Sequence, residues 1–383
     1  MVETQFKNTD IGLIPEDWNL VKIEDIAGVF GGGTPSTINN KFWGGSINWF
    51  TPTEVGKKKY LTKSNRTLTE LGLQNCSGKI LPVGSILITT RAGIGDVGIL
   101  TIESATNQGF QSLIPNSKIN PEFLYYITKT LKPVLLQNSS GSTFLEISPS
   151  KVKSIQIPLP PLPEQQAIAE VLSDTDAWIE SLEKLIAKKR LVKQGAMQQL
   201  LTPKEDWEVK KLGEMSQIYT GNKNNQDKSE DGIYPFFVRS QKIEKINTYT
   251  FDGEAILIPG EGNLGSIFHY INGKFDFHQR VYKVSDFNGI NGKYLFWYFR
   301  IYFGKHALQN TVKATVDSIR LPTIQEFEVF FPEINEQTRI ATILSDMDAE
   351  IEHLEKKLNK AKQLKQGIMQ QLLTGKIRLI AGD

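Results

Sequence analysis

The sequence lacks the features of a disulfide-stapled or membrane-spanning protein. Cys76 is the only cysteine, so no internal disulfide can form, and a secreted scaffold held by disulfides is excluded. No stretch approaches the roughly 18 consecutive apolar residues that a transmembrane helix needs. The first twenty residues are polar and lack the apolar core of a signal peptide. We therefore expect a cytoplasmic protein with no membrane partner.

Catalytic motifs are also missing. The four histidines, His269, His278, His306 and His353, do not pair at the spacing of metal ligands, and there is no cysteine cluster. The chain has neither a Gly-x-Ser-x-Gly nucleophile elbow nor the Asn/Asp-Pro-Pro-aromatic tetrapeptide typical of adenine methyltransferases. The sequence thus favours a binding protein over an enzyme and predicts no metal site.

The charge balance is nearly neutral, with a formal net charge of +2 over 383 residues. Nucleic-acid binding depends on a local basic patch, so this balance neither supports nor excludes a DNA partner. It does argue against a non-specific binder that relies on bulk positive charge. The length allows two or three domains.

An internal duplication is the main signal in the sequence. Glu164–Thr202 (EQQAIAEVLSDTDAWIESLEKLIAKKRLVKQGAMQQLLT) recurs without a gap as Glu336–Thr374 (EQTRIATILSDMDAEIEHLEKKLNKAKQLKQGIMQQLLT), 172 positions later. Upstream, Glu16-Asp17-Trp18 recurs as Glu205-Asp206-Trp207 at a spacing of 189. The duplication predicts globular modules at 1–159 and 203–331, long helices at 160–202 and 332–375, and a tail at 376–383.

Both repeated segments carry apolar residues at alternating spacings of three and four, which is typical of a coiled-coil seam. About 37 helical residues span roughly 55 Å, and such a helix needs a partner to cover its apolar stripe. We expect the two copies to pack antiparallel on each other; the alternative is that each packs on its own module. The seam residues are Ile168, Leu172, Ile179, Leu182, Ile340, Leu344, Ile351 and Leu354.

The modules have the pattern of an α+β fold built around an antiparallel sheet, because short apolar runs alternate with turn residues. In the first module Ser85–Thr90 and Gly98–Ile102 are predicted strands and Pro121–Leu136 a helix. In the second the predicted strands are Ala255–Ile258, Ser266–Tyr270 and Arg280–Val284, and Gly292–Phe303 is a predicted helix.

Each module contains a Gly-x-Gly-x-x-Gly pattern, at Gly93, Gly95 and Gly98 and again at Gly260, Gly262 and Gly265. A dinucleotide site would require a helix directly after these glycines. Strands are predicted there instead, so we interpret both patterns as tight turns between strands.

Loops in both modules combine basic, amide and aromatic side chains. Lysine and arginine neutralise phosphates, and arginine, asparagine and glutamine can read purine edges with two hydrogen bonds. Most such residues are merely solvated, but their presence on both halves of a duplicated frame favours DNA binding by the set. The candidates are Thr34, Lys41, Trp43, Lys57, Lys58, Lys59, Arg66, Arg91 and Gln108 in the first module, and Lys223, Asn224, Asn225, Arg239, Lys242, His278, Gln279 and Arg280 in the second.

The chain resembles the specificity subunits of type I restriction–modification systems. The resemblance rests on the duplicated helix segments, on GGGTPS ending at Ser36, and on TTRAGIGDVGIL and TNQGF in the first module. It implies two target-recognition domains separated and followed by helices that form an antiparallel coiled coil. Thr220-Gly221-Asn222 replaces the GGGTP stretch in the second module, which leaves its contact loop less defined.

The resemblance also implies a non-catalytic, DNA-binding subunit with two methyltransferase subunits and restriction/translocase subunits as partners. S-adenosylmethionine, ATP and Mg²⁺ would belong to those partners, and none is expected in this chain. The function we expect is reading a bipartite DNA target and directing the partners to it. A protein-bridging adaptor without DNA contact is the alternative.

Overall fold

The computed structural model describes residues 4–91, 93–140, 145–262, 265–310 and 318–379. Two compact units share the chain, one of Met1–Ser181 with Leu358–Asp383 and the other of Leu182–Lys357. Both boundaries fall inside the long helices, so each unit contains one globular module and part of each helix. Residues 92, 263, 264 and 380–383, which include the end of the predicted tail, lie outside the described residues.

The first unit combines short helices with several small sheets. Its helices are α1 (Ile23–Ile26), α2 (Glu70–Gln74), α3 (Pro121–Thr130), α4 (Lys132–Gln137), α5 (Pro149–Ser154) and the start of α6 (Leu162–Leu201), with 3-10 turns at Asn40–Phe42 and Pro52–Glu54. Its strands are β1 (Phe6–Thr9), β2 (Gly12–Pro15), β3 (Asn19–Lys22), β4 (Ala27–Gly31), β5 (Trp43–Phe50), β6 (Tyr60–Leu61), β7 (Arg66–Leu68), β8 (Ile86–Thr89), β9 (Val97–Leu100), β10 (Ser104–Thr106), β11 (Phe110–Pro115) and β12 (Gln156–Leu159).

The central sheet of this unit has the strand order β4-β11-β8-β9-β6. Its strands pair antiparallel except β6 and β9, which are parallel. This unit also contains a three-stranded sheet, β10-β5-β7, a β1-β2 hairpin and a β12-β3 pair. Buried side chains on α3 and the central sheet form the main core. The sheet is therefore mixed, where the sequence indicated an antiparallel one.

The second unit has one larger sheet, ordered β14-β19-β17-β18-β15-β16, and a separate β13-β20 pair. Only β15 and β18 run parallel in the large sheet. The strands are β13 (Glu208–Lys211), β14 (Gln217–Thr220), β15 (Tyr234–Phe237), β16 (Ile243–Ile246), β17 (Phe251–Pro259), β18 (His269–Phe277), β19 (Val281–Ser285) and β20 (Glu328–Phe331). The helices are α7 (Leu212–Met215), α8 (Gly292–Gln309), α9 (Leu321–Gln325) and α10 (Ile334–Leu373), with a 3-10 turn at Asn225–Asp227.

The predicted strands and helices of both modules are all present with somewhat different bounds, and two of these differences have a local physical cause. Pro121–Leu136 forms two helices, because Pro133 cannot supply the backbone N–H that would continue α3. The strand predicted from Ser266 begins at His269. Gly265 adopts a left-handed φ of 65° and lies so close to Gly304 of α8 that a side chain would collide, so the turn extends past it.

The prediction of turns between strands holds for Gly93 and Gly95, whereas Gly98 already lies in β9, and the second pattern includes residues 263 and 264, which lie outside the described residues. Gly93 and Gly95 have φ of 108° and 87° and lie between β8 and β9. Gly262, with φ of 92°, lies between β17 and β18. No helix begins directly after either pattern in the described residues, so neither is a dinucleotide loop.

A glutamine at the start of each long helix shows that the duplication is structural. In the first unit, Gln165 accepts a hydrogen bond from the backbone N–H of Asn120 (2.8 Å) and donates one to the carbonyl of Pro160 (2.9 Å). In the second, Gln337 makes the same two bonds, at the same distances, to Asn291 and Pro332. Asn120 and Asn291 cap α3 and α8, so each long helix is fixed to the N-terminus of the main helix of its module.

The long helices also pair with each other within each unit. In the first unit Lys365 on α10 donates to Asp176 on α6. In the second, Lys193 donates to Asp348, while Arg190 pairs with Glu355 at 2.6 Å. Partner numbers fall along α10 as they rise along α6, so the pairing is antiparallel, as predicted.

The first turns of each helix are buried against the module of the same unit. Ile168 and Leu172 join the main core of the first unit, and Ile340 and Leu344 join that of the second. Each such side chain contributes roughly 1.5–3 kcal/mol when fully buried. Both packing alternatives left open by the sequence are thus present, on different stretches of one helix.

A C-terminal arginine fastens the start of the first module. After α10 ends, Arg378 Nε donates to Glu164 (2.8 Å), and its Nη1 and Nη2 donate to Asp17 (2.9 and 2.6 Å). Glu164, which is only 3% exposed, also accepts from Trp18 Nε1 (2.9 Å). These bonds raise the pKa of Arg378 and lower that of Asp17.

Candidate nucleic-acid interface

Most of the candidate residues of the second module share one concave polar surface, which we call the basic pocket. It is lined by Asn224, Asn225, Gln226, Arg239, Glu261, His278, Gln279 and Arg280. These residues come from four separate stretches: the turn after β14, the end of β15, the residues just after β17, and the segment between β18 and β19. The sheet brings them together because β18 lies between β17 and β15.

Short-range contacts fix the turn that carries Asn224 and Asn225. Lys223 forms a parallel bridge with His278, and its carbonyl accepts from the backbone N–H of Gln279 (2.8 Å). The Gln279 side chain in turn donates to Asn224 Oδ1 (2.5 Å). The ideal Cβ position of Gly221 lies 2.0 Å from the carbonyl oxygen of Phe277, so only glycine permits this approach.

Glu261 is a member of the basic pocket that the sequence pattern did not reveal. Its carboxylate pairs with Arg239 Nη1 at 3.0 Å and with Arg280 Nη1 at 2.8 Å. The only signal in the sequence was an acidic residue between two glycines after a buried strand. That pattern does not indicate which basic side chains the carboxylate would pair with.

His278 differs from its exposed neighbours because it is buried, at 4% exposure. Its Nδ1 accepts a hydrogen bond from the backbone N–H of Arg280 (3.0 Å). Burial lowers the pKa of His278, and the nearby Arg239 lowers it further. The ring therefore supports the backbone of Arg280 as a neutral group.

The two lysine candidates of this module do not line the basic pocket. Lys242 is exposed and pairs with Glu244 at 2.9 Å. Lys223 is half-buried and contributes mainly its backbone, as described above.

In the first module, two tryptophan side chains hold the loop that contains Gly33 and Ser36. Trp49 Nε1 donates to the carbonyl of Gly33 (2.9 Å), and Trp43 Nε1 donates to that of Ser36 (3.1 Å). Arg66 lies over the Trp43 ring at 3.5 Å from its centroid. The loop is thereby held close to the Arg66 guanidinium, which stacks on Trp43. This combination is suited to contacts with the phosphates and the bases of DNA.

Other candidates of this module are dispersed. Thr34 Oγ1 donates to Gln108 Oε1 (2.5 Å), so these two are adjacent. Lys41 is exposed, and its carbonyl accepts from Thr69. Arg91 pairs with Glu146 at 2.8 Å.

Three consecutive lysines that look equivalent in the sequence have different environments. Lys57 and Lys58 are exposed. The Lys59 side chain is only 11% exposed; its Nζ donates to Tyr126 Oη (2.9 Å) and Ser173 Oγ (2.8 Å) and pairs with Glu122. Lys59 thus joins α3 to α6. Its charge is used in that contact, so we do not count it among the groups that would bind DNA.

The seam residues are buried or half-buried. Leu182 and Ile351 are less than a tenth exposed, as are Ile168, Leu172, Ile340 and Leu344; Ile179 and Leu354 are half-buried. Among the described residues no group of three or more His, Cys, Asp or Glu side chains is placed to hold a metal ion. None of the described helices is long and apolar enough to cross a membrane.

Comparisons with known proteins agree with this architecture. The sequence model of the type I restriction modification DNA specificity domain matches twice, at residues 15–189 and 204–363. The type I restriction enzyme MjaIX specificity subunit of Methanocaldococcus jannaschii is 30% identical over 98% of this chain and 97% of its own. The EcoprrI specificity subunit of Escherichia coli is 28% identical over 83% and 84%.

Among solved structures, the type I restriction–modification S subunit from M. genitalium has a TM-score of 0.65 at 16% identity, covering 96% of this chain and 98% of that one. The HsdS subunit from Thermoanaerobacter tengcongensis has a TM-score of 0.53 at 16% identity, covering 97% and 100%. The chain thus consists of two DNA specificity domains, each of which includes a long helix. It belongs to the family of type I restriction–modification DNA specificity subunits.

Proposed function

We propose that this chain reads a bipartite DNA target, one half-site with each module, and directs partner enzymes to it. The observation that carries this proposal is the basic pocket of the second module. There, amide and guanidinium groups from separate strands converge on one accessible surface. Arginine, asparagine and glutamine are the side chains that read purine edges with paired hydrogen bonds.

The first module takes the other half-site in this proposal. Its exposed Lys57 and Lys58 neutralise phosphates, and the Trp43–Arg66 stack with the adjacent loop faces the bases. The two modules carry different side chains at these places, so the half-sites differ in sequence.

The long helices set the gap between the half-sites. Each has 40 residues, which corresponds to about 60 Å. Successive turns of DNA present the same groove about 34 Å apart. Helices of this length are therefore long enough to hold the two modules over half-sites one turn apart.

The partners are two methyltransferase subunits and restriction/translocase subunits, and S-adenosylmethionine, ATP and Mg²⁺ bind to those partners. The repeated KQG-x-MQQLL segments offer one equivalent helix face for each methyltransferase. Val192 and Leu364 directly precede these segments at equivalent positions and are half exposed, at 49% and 51%. Solvent-facing apolar residues at equivalent repeat positions suit two copies of one partner.

Co-expression with the methyltransferase subunit, followed by genome-wide mapping of methylated adenines, tests the proposal. We expect methylation at a single sequence made of two half-sites separated by a fixed gap of unspecified bases. A protein-bridging adaptor would instead leave methylation independent of sequence. Binding of the purified complex to DNA should also weaken steeply with salt, because each neutralised phosphate releases counterions.

A further inference from the structure

Glu261 lies beneath two more exposed arginines at the basic pocket. Its side chain is 19% exposed, whereas those of Arg239 and Arg280 are 42% and 59% exposed. Each arginine is held through Nη1, by a different carboxylate oxygen. The carboxylate thus supports the pair from the protein side while both guanidinium groups remain accessible to a ligand.

The backbone fixes the position of Glu261. Its neighbour Gly260 donates to the carbonyl of Arg280 (2.8 Å) and accepts from the N–H of Ile319 (2.9 Å). Glu261 itself bridges Ser318, and Gly262 has a left-handed φ of 92°. A carboxylate anchored in this way differs from an adventitious surface ion pair, since both its chain position and its partners are constrained.

Arg280 is constrained from its other side as well. The His278 ring accepts from the backbone N–H of Arg280, and the adjacent Gln279 side chain is bound to Asn224. The backbone at Arg280 is therefore fixed by the two residues that precede it, in addition to the bond that its carbonyl accepts from Gly260.

Electrostatics explains what the carboxylate does there. Two guanidinium groups this close to one anion would repel each other without it. Among the described residues, Glu261 is the only side chain that accepts a hydrogen bond from or pairs with either guanidinium group, and it does so through Nη1, so the Nε and Nη2 edge of each remains available. That edge is the one that can make two parallel hydrogen bonds to a planar acceptor pair.

We propose that Glu261 is a positioning residue for base reading, holding Arg239 and Arg280 as two preset forks for guanine edges in the second half-site. This inference rests on the proposed DNA-reading function. The same carboxylate opposes phosphate binding, because it cancels one of the two positive charges. The trio therefore favours sequence reading over non-specific attraction to the DNA backbone.

Glu261→Gln in the complex with the methyltransferase subunit tests this inference. The substitution keeps the size and removes the charge. Affinity is measured for the mapped target and for a duplex with its second half-site scrambled. We expect the ratio of the two affinities to fall at least about tenfold, or about 1.4 kcal/mol. Binding to the scrambled duplex should stay equal or become tighter, and the penalty for scrambling the first half-site should not change.

Glu326→Gln is the matched control. Glu326 pairs with exposed Lys211 at the end of β13 and does not line the basic pocket, so its substitution makes the same change in net charge at another place. It should leave the affinity ratio unchanged. Arg280→Lys supplies a second variant, which keeps the charge but loses the planar fork; we expect it to lower the ratio without tightening the scrambled complex.

The outcomes separate this inference from the proposed function. If the unmodified complex does not discriminate against the scrambled second half-site, the DNA-reading function itself is wrong. If it discriminates, and folded Glu261→Gln discriminates equally well, only the role of Glu261 is overturned. If Glu261→Gln does not fold, Arg280→Lys decides, and an unchanged ratio in that variant overturns the inference.

Discussion

Lys193 on α6 pairs with Asp348 on α10 in the second unit, and the first unit repeats the pair with the helices exchanged. There Lys365 on α10 pairs with Asp176 on α6. Lys193 and Lys365 are equivalent positions of the duplication, as are Asp176 and Asp348. Each helix therefore supplies an acid in its first half and a base in its second half, which favours antiparallel pairing in one register.

Asp348→Asn tests the contribution of this pair. The Lys193 side chain is only 11% exposed and lies over the Trp297 ring, so loss of its partner leaves a poorly solvated ammonium. Because Asp348 is itself 45% exposed, solvent screening limits the loss to about 1–2 kcal/mol of the free energy of unfolding. Urea denaturation measures it.

Asp346→Asn is the control, since this exposed carboxylate lies on the same helix and its substitution changes the charge equally. It should change the free energy of unfolding by less than about 0.5 kcal/mol. Equal effects of the two substitutions would show that the Lys193–Asp348 pair does not stabilise the helices.

Gly195 and Gly367 are equivalent glycines inside the long helices, and an added Cβ would meet nothing within 4 Å at either one. Glycine inside a helix costs about 0.5–1 kcal/mol relative to alanine. Gly367→Ala should therefore raise the free energy of unfolding of the isolated chain by about that amount. If a partner helix packs closely there, the same substitution should weaken binding of the methyltransferase subunit, measured by titration calorimetry.

Asn359→Ala provides the comparison for Gly367→Ala. Asn359 is exposed on α10, and alanine raises helix propensity there without altering the glycine face. It should stabilise the chain and leave partner affinity unchanged. Unchanged partner affinity in Gly367→Ala as well would remove this face from the proposed contact.

Acid should destabilise the second unit more than the first. Burial lowers the pKa of both His269 and His278, and all four histidines lie in the second unit. An unfolded histidine titrates near 6.5, so the unfolded state binds more protons than the folded state below that pH. The free energy of unfolding should fall between pH 7.5 and 5.5, by up to about 1 kcal/mol per histidine.

Thermal unfolding at the two pH values measures this dependence. His269→Gln removes one titrating ring and keeps a donor for the carbonyl of Ser240, which His269 contacts at 3.0 Å. The variant should lose less stability on acidification than the unmodified chain. A pH dependence that is identical in both would exclude His269 as a source.

The sequence predicted those parts of the fold that are duplicated or that have a regular spacing of apolar residues or glycines. The helices and the turns at the glycines follow from spacing, because such patterns reflect geometry shared by many residues, and the antiparallel pairing was expected from the duplication and from the family resemblance. Side-chain partners far apart in the chain could not be predicted this way. Lys59 resembles Lys57 and Lys58 in sequence, yet its partners Glu122 and Ser173 come from distant elements.

The basic pocket was predictable in part for the same reason. Arg239, His278 and Arg280 could be identified as candidates by residue type. Their convergence depends on the order of strands in the sheet, which brings β15 next to β18. Glu261 could not be found without that order, because nothing local to it indicates two arginine partners.

Lengthening the helices tests the central claim most directly. Seven residues are inserted after Lys184 and seven after its equivalent Lys356, which preserves the coiled-coil repeat and adds about 10 Å. After co-expression with the methyltransferase subunit, methylated adenines are mapped across the genome. We predict the same half-site bases separated by a gap longer by about three base pairs. Altered half-site bases at an unchanged gap would contradict the account.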